Sequence, residues 1–257
     1  MLALGATRNP TRSFGYAVTA QVLLAGVCVY LIPVVIYPSL GYRGVFSFLM
    51  VLVALVLPLV RFIPRQSAPA TAAKQARSTQ WLCWLALVVM AVYFVGLNGN
   101  WAFLELLGER VGLGTESIGI AISVGLVGGA AGSMAASIFH DRVSVKLAMT
   151  IAVIGFVIYV LAIGRGAGVW SYAGAVLIFN VVWNFSLPYQ MGVIVRTDHH
   201  GRLLALLPAA QALGGALGPL LAGSVLLIAG PSGLYVQLLI CVGVATLGFS
   251  WLDRRAG

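Results

Sequence analysis

Eight long apolar runs, separated by short polar or basic connections, leave few folds open to this chain. They cover residues 13–37, 45–63, 81–107, 117–139, 145–163, 169–195, 203–229 and 234–251. The hydrocarbon core of a bilayer is about 30 Å thick, and an α-helix needs roughly 20 apolar residues to cross it. Inside lipid every backbone polar group must find a partner within the protein, so only helices and closed barrels span. A barrel strand alternates polar and apolar residues, whereas these runs are apolar on every face. The pattern predicts an all-α integral membrane protein with about eight transmembrane helices, whose first partner is the lipid bilayer.

Composition agrees. Of 257 residues, 61% are hydrophobic and 8% charged, against roughly 25% charged in a soluble domain. The 31 glycines suit helices that pack closely in lipid. The net charge of +9 does not mark a nucleic-acid partner, because the basic residues lie singly or in small groups between apolar runs, with no basic stripe and no interleaved aromatics. Cys28, Cys83 and Cys241 all fall inside apolar runs, without metal-ligand spacing or a disulfide pattern, and read as small buried hydrophobes. Residues 1–12 lack the apolar core of a cleavable signal peptide.

The distribution of Lys and Arg predicts the orientation. Arg8, Arg12, Arg61, Arg65, Lys74, Arg77, Arg142, Lys146, Arg196, Arg202, Arg254 and Arg255 fall on one side of an eight-span topology. Only Arg43, Arg110 and Arg165 fall on the other. Both termini are therefore expected in the cytoplasm, with the chain multi-pass in the plasma (inner) membrane. The one sizeable connection, 64–80, holds Pro64, Pro69, Arg65, Lys74 and Arg77 and reads as a cytoplasmic linker. It divides a two-helix N-terminal part (1–63) from a six-helix bundle (81–257).

The two ends of the chain resemble each other. Arg12 and Gln21 are nine apart, as are Arg202 and Gln211, at an offset of 190. Gly41-Tyr42-Arg43-Gly44 matches Gly230-Pro231-Ser232-Gly233 at an offset of 189. Two matches in order at nearly one offset predict that helices one and two repeat helices seven and eight with the same polarity. The implied period is six helices. Helices three to eight then make one complete unit, and helices one and two the last third of another, with four helices expected upstream.

Here the chain resembles the major facilitator superfamily. His140-Asp141-Arg142-Val143-Ser144-Val145-Lys146 is similar to that family's short basic loop between the second and third helices of a half, with Ser144 and Val145 departing from its usual Gly and basic residue. Residues 198–202 are similar to the loop before the fifth helix. Residues 214–223, with Gly214, Gly218, Pro219 and Gly223, resemble a glycine-proline helix found in many members. The stretch 26–33 lacks the corresponding antiporter pattern, so antiport is not indicated. The resemblance implies two bundles that rock about a central solute site, with the first and fourth helices of each half lining it. Those are helices three and six here.

Both helices are polar for lipid-embedded segments. Asn98, Trp101 and Glu105 share one face of helix three, while Asn100 points elsewhere; Asn180, Trp183 and Asn184 share one face of helix six. An amide in a bilayer needs a partner, which a water-filled cavity or ligand supplies. Asn98, Trp101, Asn180, Trp183 and Asn184 are the expected substrate-binding residues, joined by Gln21 and Gln211. The competing reading is that these amides bond between helices. Glu105, the lone carboxylate in a span, is the candidate for proton coupling. It lies about 24 residues into its run, roughly 36 Å along a helix, which favours a solvated position at the outer mouth. Asp141 and Arg142, at the cytoplasmic end of helix four, are the expected gate, against ordinary charge anchoring. His199 and His200 read as solvated loop residues, and Pro33, Pro188 and Pro219 as bends.

No H-E-x-x-H, G-x-S-x-G or phosphate-binding loop occurs, so an enzyme is not expected. The expected function is secondary transport of a small organic solute by alternating access, a process that needs no cofactor. Because four helices of the first half are missing from the period, three readings stay open: a truncated carrier, a short carrier that completes its cavity as a homodimer, or a non-transporting membrane subunit that binds a partner.

Overall fold

With no soluble surface to make, the chain has helices as its regular structure throughout the described residues. The structure is a computed structural model, and it describes residues 4, 7, 9–62, 80–165, 168–198 and 203–256. The elements run α1 (Pro10–Leu31), a π-helical turn (Ile32–Ile36), α2 (Tyr37–Val56), a 3-10 stretch (Leu57–Phe62), α3 (Gln80–Trp101), α4 (Leu104–Arg110), α5 (Thr115–Phe139), α6 (Val145–Gly164), α7 (Val169–Thr197), a 3-10 turn (Leu204–Leu206) and α8 (Leu207–Ala256). The linker 64–79, with Arg8, His199, His200 and Arg202, lies outside the described residues.

Among the described residues six stretches are long and apolar enough to cross a membrane: Tyr37–Val56, Trp81–Arg110, Thr115–Phe139, Val145–Gly164, Val169–Thr197 and Leu204–Ala256. The last is 53 residues long, more than twice what one crossing requires. It is folded back on itself at Gly230, whose backbone (φ 65, ψ −162) is non-helical. Along its first arm Gly214 lies against Ala91 and Phe94, Gly218 against Val95 and Gly99, and Gly223 faces Phe103, so this arm runs beside α3 in the same direction. Along the second arm Cys241 lies against Gly96, Gly248 against Val89, and the Trp251 ring 5.8 Å from Trp81. That arm runs the opposite way.

At each of the two repeat matches the short connection between apolar runs is a single-glycine corner. Gly41 has φ 59 and ψ −159, nearly the values of Gly230. A residue with a Cβ is excluded from this region, and a single glycine there turns the chain sharply without a loop. Three residues on, Gly44 sits against Leu40 and Gly233 against Ala229, so the small residue after each corner admits the chain before it. The offset of 189 in sequence thus joins two corners of the same backbone shape.

Glycine also sets the packing of the bundle. On α5, Gly125, Gly128 and Gly132 lie against Val176, Leu177 and Val181 of α7. On the other side of α5, Gly15 of α1 lies against Ser137, the Thr19 and Ser133 hydroxyls are 2.8 Å apart, and the Ser137 hydroxyl donates to the Arg12 carbonyl at 3.2 Å. Helix association in lipid lacks a hydrophobic drive and depends on such close approach and on interhelical hydrogen bonds. The start of α1 meets the ends of α5 and α7 through Ser137 and Gly192, and the Arg196–Asp253 ion pair ties the end of α7 to the end of α8. Arg12, Arg142, Arg196, Arg254 and Arg255 therefore gather at one end of the bundle.

Helix three of the sequence reading ends early. The Phe103 amide bonds to the Asn100 carbonyl at 3.2 Å, a shorter-range bond than the α-helical one, and Phe103 has φ −111. The run 81–107 is therefore two helices, α3 and α4, and the face shared by Trp101 does not continue to Glu105.

Candidate functional site

The middle of α7 is the polar centre of the bundle. Asn180 and Asn184 lie 11 and 15 residues from its first residue, roughly 17–23 Å along its axis. They are 2% and 7% exposed. Glycines on α5 leave them room: a Cβ on Gly125 would stand 2.8 Å from Asn180 Nδ2, and one on Gly129 2.7 Å from Asn184 Nδ2. Each side-chain amide bonds back to its own helix, Asn180 Nδ2 donating to the Val176 carbonyl at 2.9 Å and Asn184 Nδ2 to the Asn180 carbonyl at 3.0 Å.

Beside them is an aromatic wall. The Trp183 ring stands 6.1 Å from both Phe94 and Trp101 at steep angles, and Phe179 packs behind, 5.7 Å from Trp183 and stacked on Trp101 at 6.3 Å. Edge-to-face and offset contacts of this kind hold rings in fixed orientations. α1 and α8 close the other sides with Gln21 and Gln211, the two glutamines that correspond in the repeat.

These side chains line a partly open cavity of about 260 Å³. Six of the residues singled out from sequence line it: Gln21, Trp101, Asn180, Trp183, Asn184 and Gln211. Asn98 does not. Its Nδ2 donates to the Phe94 carbonyl at 3.0 Å, and its side chain faces Gly215 of α8. Asn100 points away, as expected, and accepts a hydrogen bond from the Tyr159 hydroxyl on α6. The sequence reading missed Phe94, Leu187 and Met191, which also line the cavity. Phe94 is seven residues before Trp101, and Leu187 and Met191 extend the face of Asn180 and Asn184, so helical spacing carried the signal. Nothing distinguishes an apolar residue facing a cavity from one facing lipid.

Every lining side chain is amide, aromatic, aliphatic or thioether. Among the described residues the lining holds no acid, no base and no nucleophile, and its walls can bind and orient a solute. Glu105 is exposed in the first turn of α4, away from the lining. Asp141 pairs with its neighbour His140 at 3.0 Å and is 76% exposed, with Arg142 exposed beside it. Among the described residues the ion pair that joins two helices at that end is Arg196–Asp253, a pair hidden in sequence by the basic residues around Asp253.

A scan against protein-family models gives no match to this chain, and a search of curated proteins gives none either.

Proposed function

We propose that this chain is a secondary carrier of the major facilitator type, moving a small organic solute across the plasma membrane by alternating access. The single observation that carries the reading is the cavity: polar and aromatic side chains from α1, α3 and α8 converge on the middle of α7, inside an apolar helix bundle. Amides at that depth are costly unless a ligand, water or a neighbouring helix satisfies them. Carriers place their site near the membrane midplane between repeats and expose it to each side in turn by rocking. The paired corners at Gly41 and Gly230 support a parallel repeat. In this reading α1 spans as well as the six stretches, and with the fold-back at Gly230 the chain crosses eight times, which puts both termini at the basic, cytoplasmic end.

In this reading Gln21, Trp101, Asn180, Trp183, Asn184 and Gln211 hold the solute, and Asn98 sets the fit between α3 and α8. Contacts at the basic end act as the gate. Arg196–Asp253 joins two helices there, and Asp141 and Arg142 follow α5 in the loop nearby. Glu105 serves as a solvated residue at the outer mouth.

Thermal stabilisation of the purified chain across a library of small organic solutes tests the proposal, followed by uptake into proteoliposomes. At least one solute class should raise the melting temperature by several degrees and be taken up, and Trp183→Ala should abolish both effects. A blank library would overturn the reading. A second reading has its own observation: α2 exposes large apolar residues such as Leu40, Phe46, Met50 and Leu55 around most of its circumference. A membrane subunit that binds a partner, or a second copy, through α2 would show this. Stable partner co-purification without uptake would favour it.

A further inference from the structure

The hydrogen-bonding polarity of the cavity can be read atom by atom. The Val176 and Asn180 backbone carbonyls can only accept, so the side-chain atoms that approach them at 2.9 and 3.0 Å are the amide nitrogens of Asn180 and Asn184. This fixes which way both amides point. Their oxygens, Asn180 Oδ1 and Asn184 Oδ1, accept no hydrogen bond among the described residues, and neither is among the fully covered polar atoms. The cavity is therefore the open space into which two oriented acceptors project. The indole nitrogen of Trp183 is covered by its neighbours and offers no donor there, so the donors among the lining residues are the Trp101 indole N–H and the rotatable amides of Gln21 and Gln211. Among the described residues no Lys, Arg or His lines the space, so an anion would enter without a compensating charge from them, a costly transfer out of water. A cation instead meets the rings of Phe94, Trp101 and Trp183 in the lining, and aromatic π-systems attract positive charge.

We infer that, on the carrier reading above, the solute is an organic ammonium on a flat apolar or aromatic body, its N–H groups donating to Asn180 Oδ1 and Asn184 Oδ1 and its body lying on the aromatic wall. Gln21 and Gln211 present rotatable amides and serve whichever polar group the solute carries at its other end.

Three probes share one ring system and differ only in the terminal group: tryptamine (ammonium), indole-3-acetamide (neutral donor) and indole-3-acetate (anion). Binding to the purified full chain is measured by isothermal titration calorimetry. Tryptamine should bind at least tenfold more tightly than indole-3-acetate, with the amide between them. Asn180→Leu with Asn184→Leu, which keeps the side-chain volume and removes both acceptors, should reduce that preference below threefold. Asn184→Asp, which keeps an acceptor, should hold or increase it. An acetate that matches tryptamine, a tryptamine that does not bind, or a double variant that keeps the full preference would overturn the inference. The carrier reading falls separately, only if the broad solute library is blank.

Discussion

Two hairpins in this molecule turn on glycines of the same backbone shape and are treated very differently by the rest of the fold. The hairpin of α8 has both arms against α3, and its second arm also meets α6. The hairpin of α1 and α2 has only its first arm docked, on α5 and α7, while α2 rests chiefly on the π-helical turn and the 3-10 stretch next to it in the chain. In its most apolar window α2 is 6% buried, against 28% for the stretch holding α8. The difference teaches that a corner can be local while burial is not. A glycine free to adopt positive φ defines where the chain turns, but only neighbours decide whether the second arm is held. In lipid an unpartnered arm still keeps its helix, because its backbone bonds are internal.

The sharpest way to break this comparison is to wedge the tight contact. A Cβ on Gly218 would stand 2.8 Å from Gly99 N and Val95 O, backbone atoms that cannot move aside. Gly218→Leu should destabilise the protein by about 3 kcal/mol or more, at the upper end for overpacking, whereas Gly26→Leu in α1, with nothing within 4 Å, should change it by less than about 0.5 kcal/mol. Reversible unfolding in mixed detergent micelles measures both. Equal losses would mean that the first hairpin is packed as closely as the second.

The corners give a smaller and more discriminating effect. Gly230→Ala forces a Cβ into a strained region, at roughly 1–3 kcal/mol, and α3 prevents both arms from relaxing. Gly41→Ala meets the same strain, but α2 is free to swing, so the loss should stay below about 1 kcal/mol. A loss at Gly41 equal to that at Gly230 would show that α2 is held by contacts as firm as those on the second arm of α8.

Much of this was legible in the sequence, for stated reasons. Runs of apolar residues too long for a soluble core gave the helices, and the matched glycines, read there as a sign of a repeat, lie at both corners. Gln21, Trp101, Asn180, Trp183, Asn184 and Gln211 were visible because a polar or indole side chain inside an apolar run stands out. Phe94, Leu187 and Met191 share the helical spacing of the polar lining residues, but their type did not mark them, because lipid and cavity accept the same apolar residues. The end of α3 at Trp101 was missed because hydropathy continues across Ala102 and Phe103 while the hydrogen bonding changes. Asn98 was misplaced by its neighbour Phe94, whose carbonyl takes its amide. That the single glycine at each corner replaces a loop was also beyond a hydropathy pattern, which reads the polar corner residues as a connection between helices.

The least of the expected effects separates the two arms of the first hairpin. Thr19 on α1 shares a hydrogen bond with Ser133 of α5 at 2.8 Å, and both groups are buried. Its hydroxyl also donates to the Gly15 carbonyl at 2.8 Å. Thr19→Val keeps the shape and removes both, but Ser133 retains its own carbonyl partners at Gly129 and Ala130, so no stranded donor remains to enlarge the loss. Interhelical bonds of this kind average about 0.6 kcal/mol in membrane bundles, and that is the loss expected. Among the described residues Ser39, before the Gly41 corner, donates to carbonyls of its own chain segment, Val35 and Ile36, and Ser39→Ala should leave stability within about 0.3 kcal/mol, since such local bonding adds little to a helix. If Ser39→Ala cost as much as Thr19→Val, the segment leading into α2 would be bound to something across the bundle, and the contrast between a docked first arm and an unheld second arm would fail.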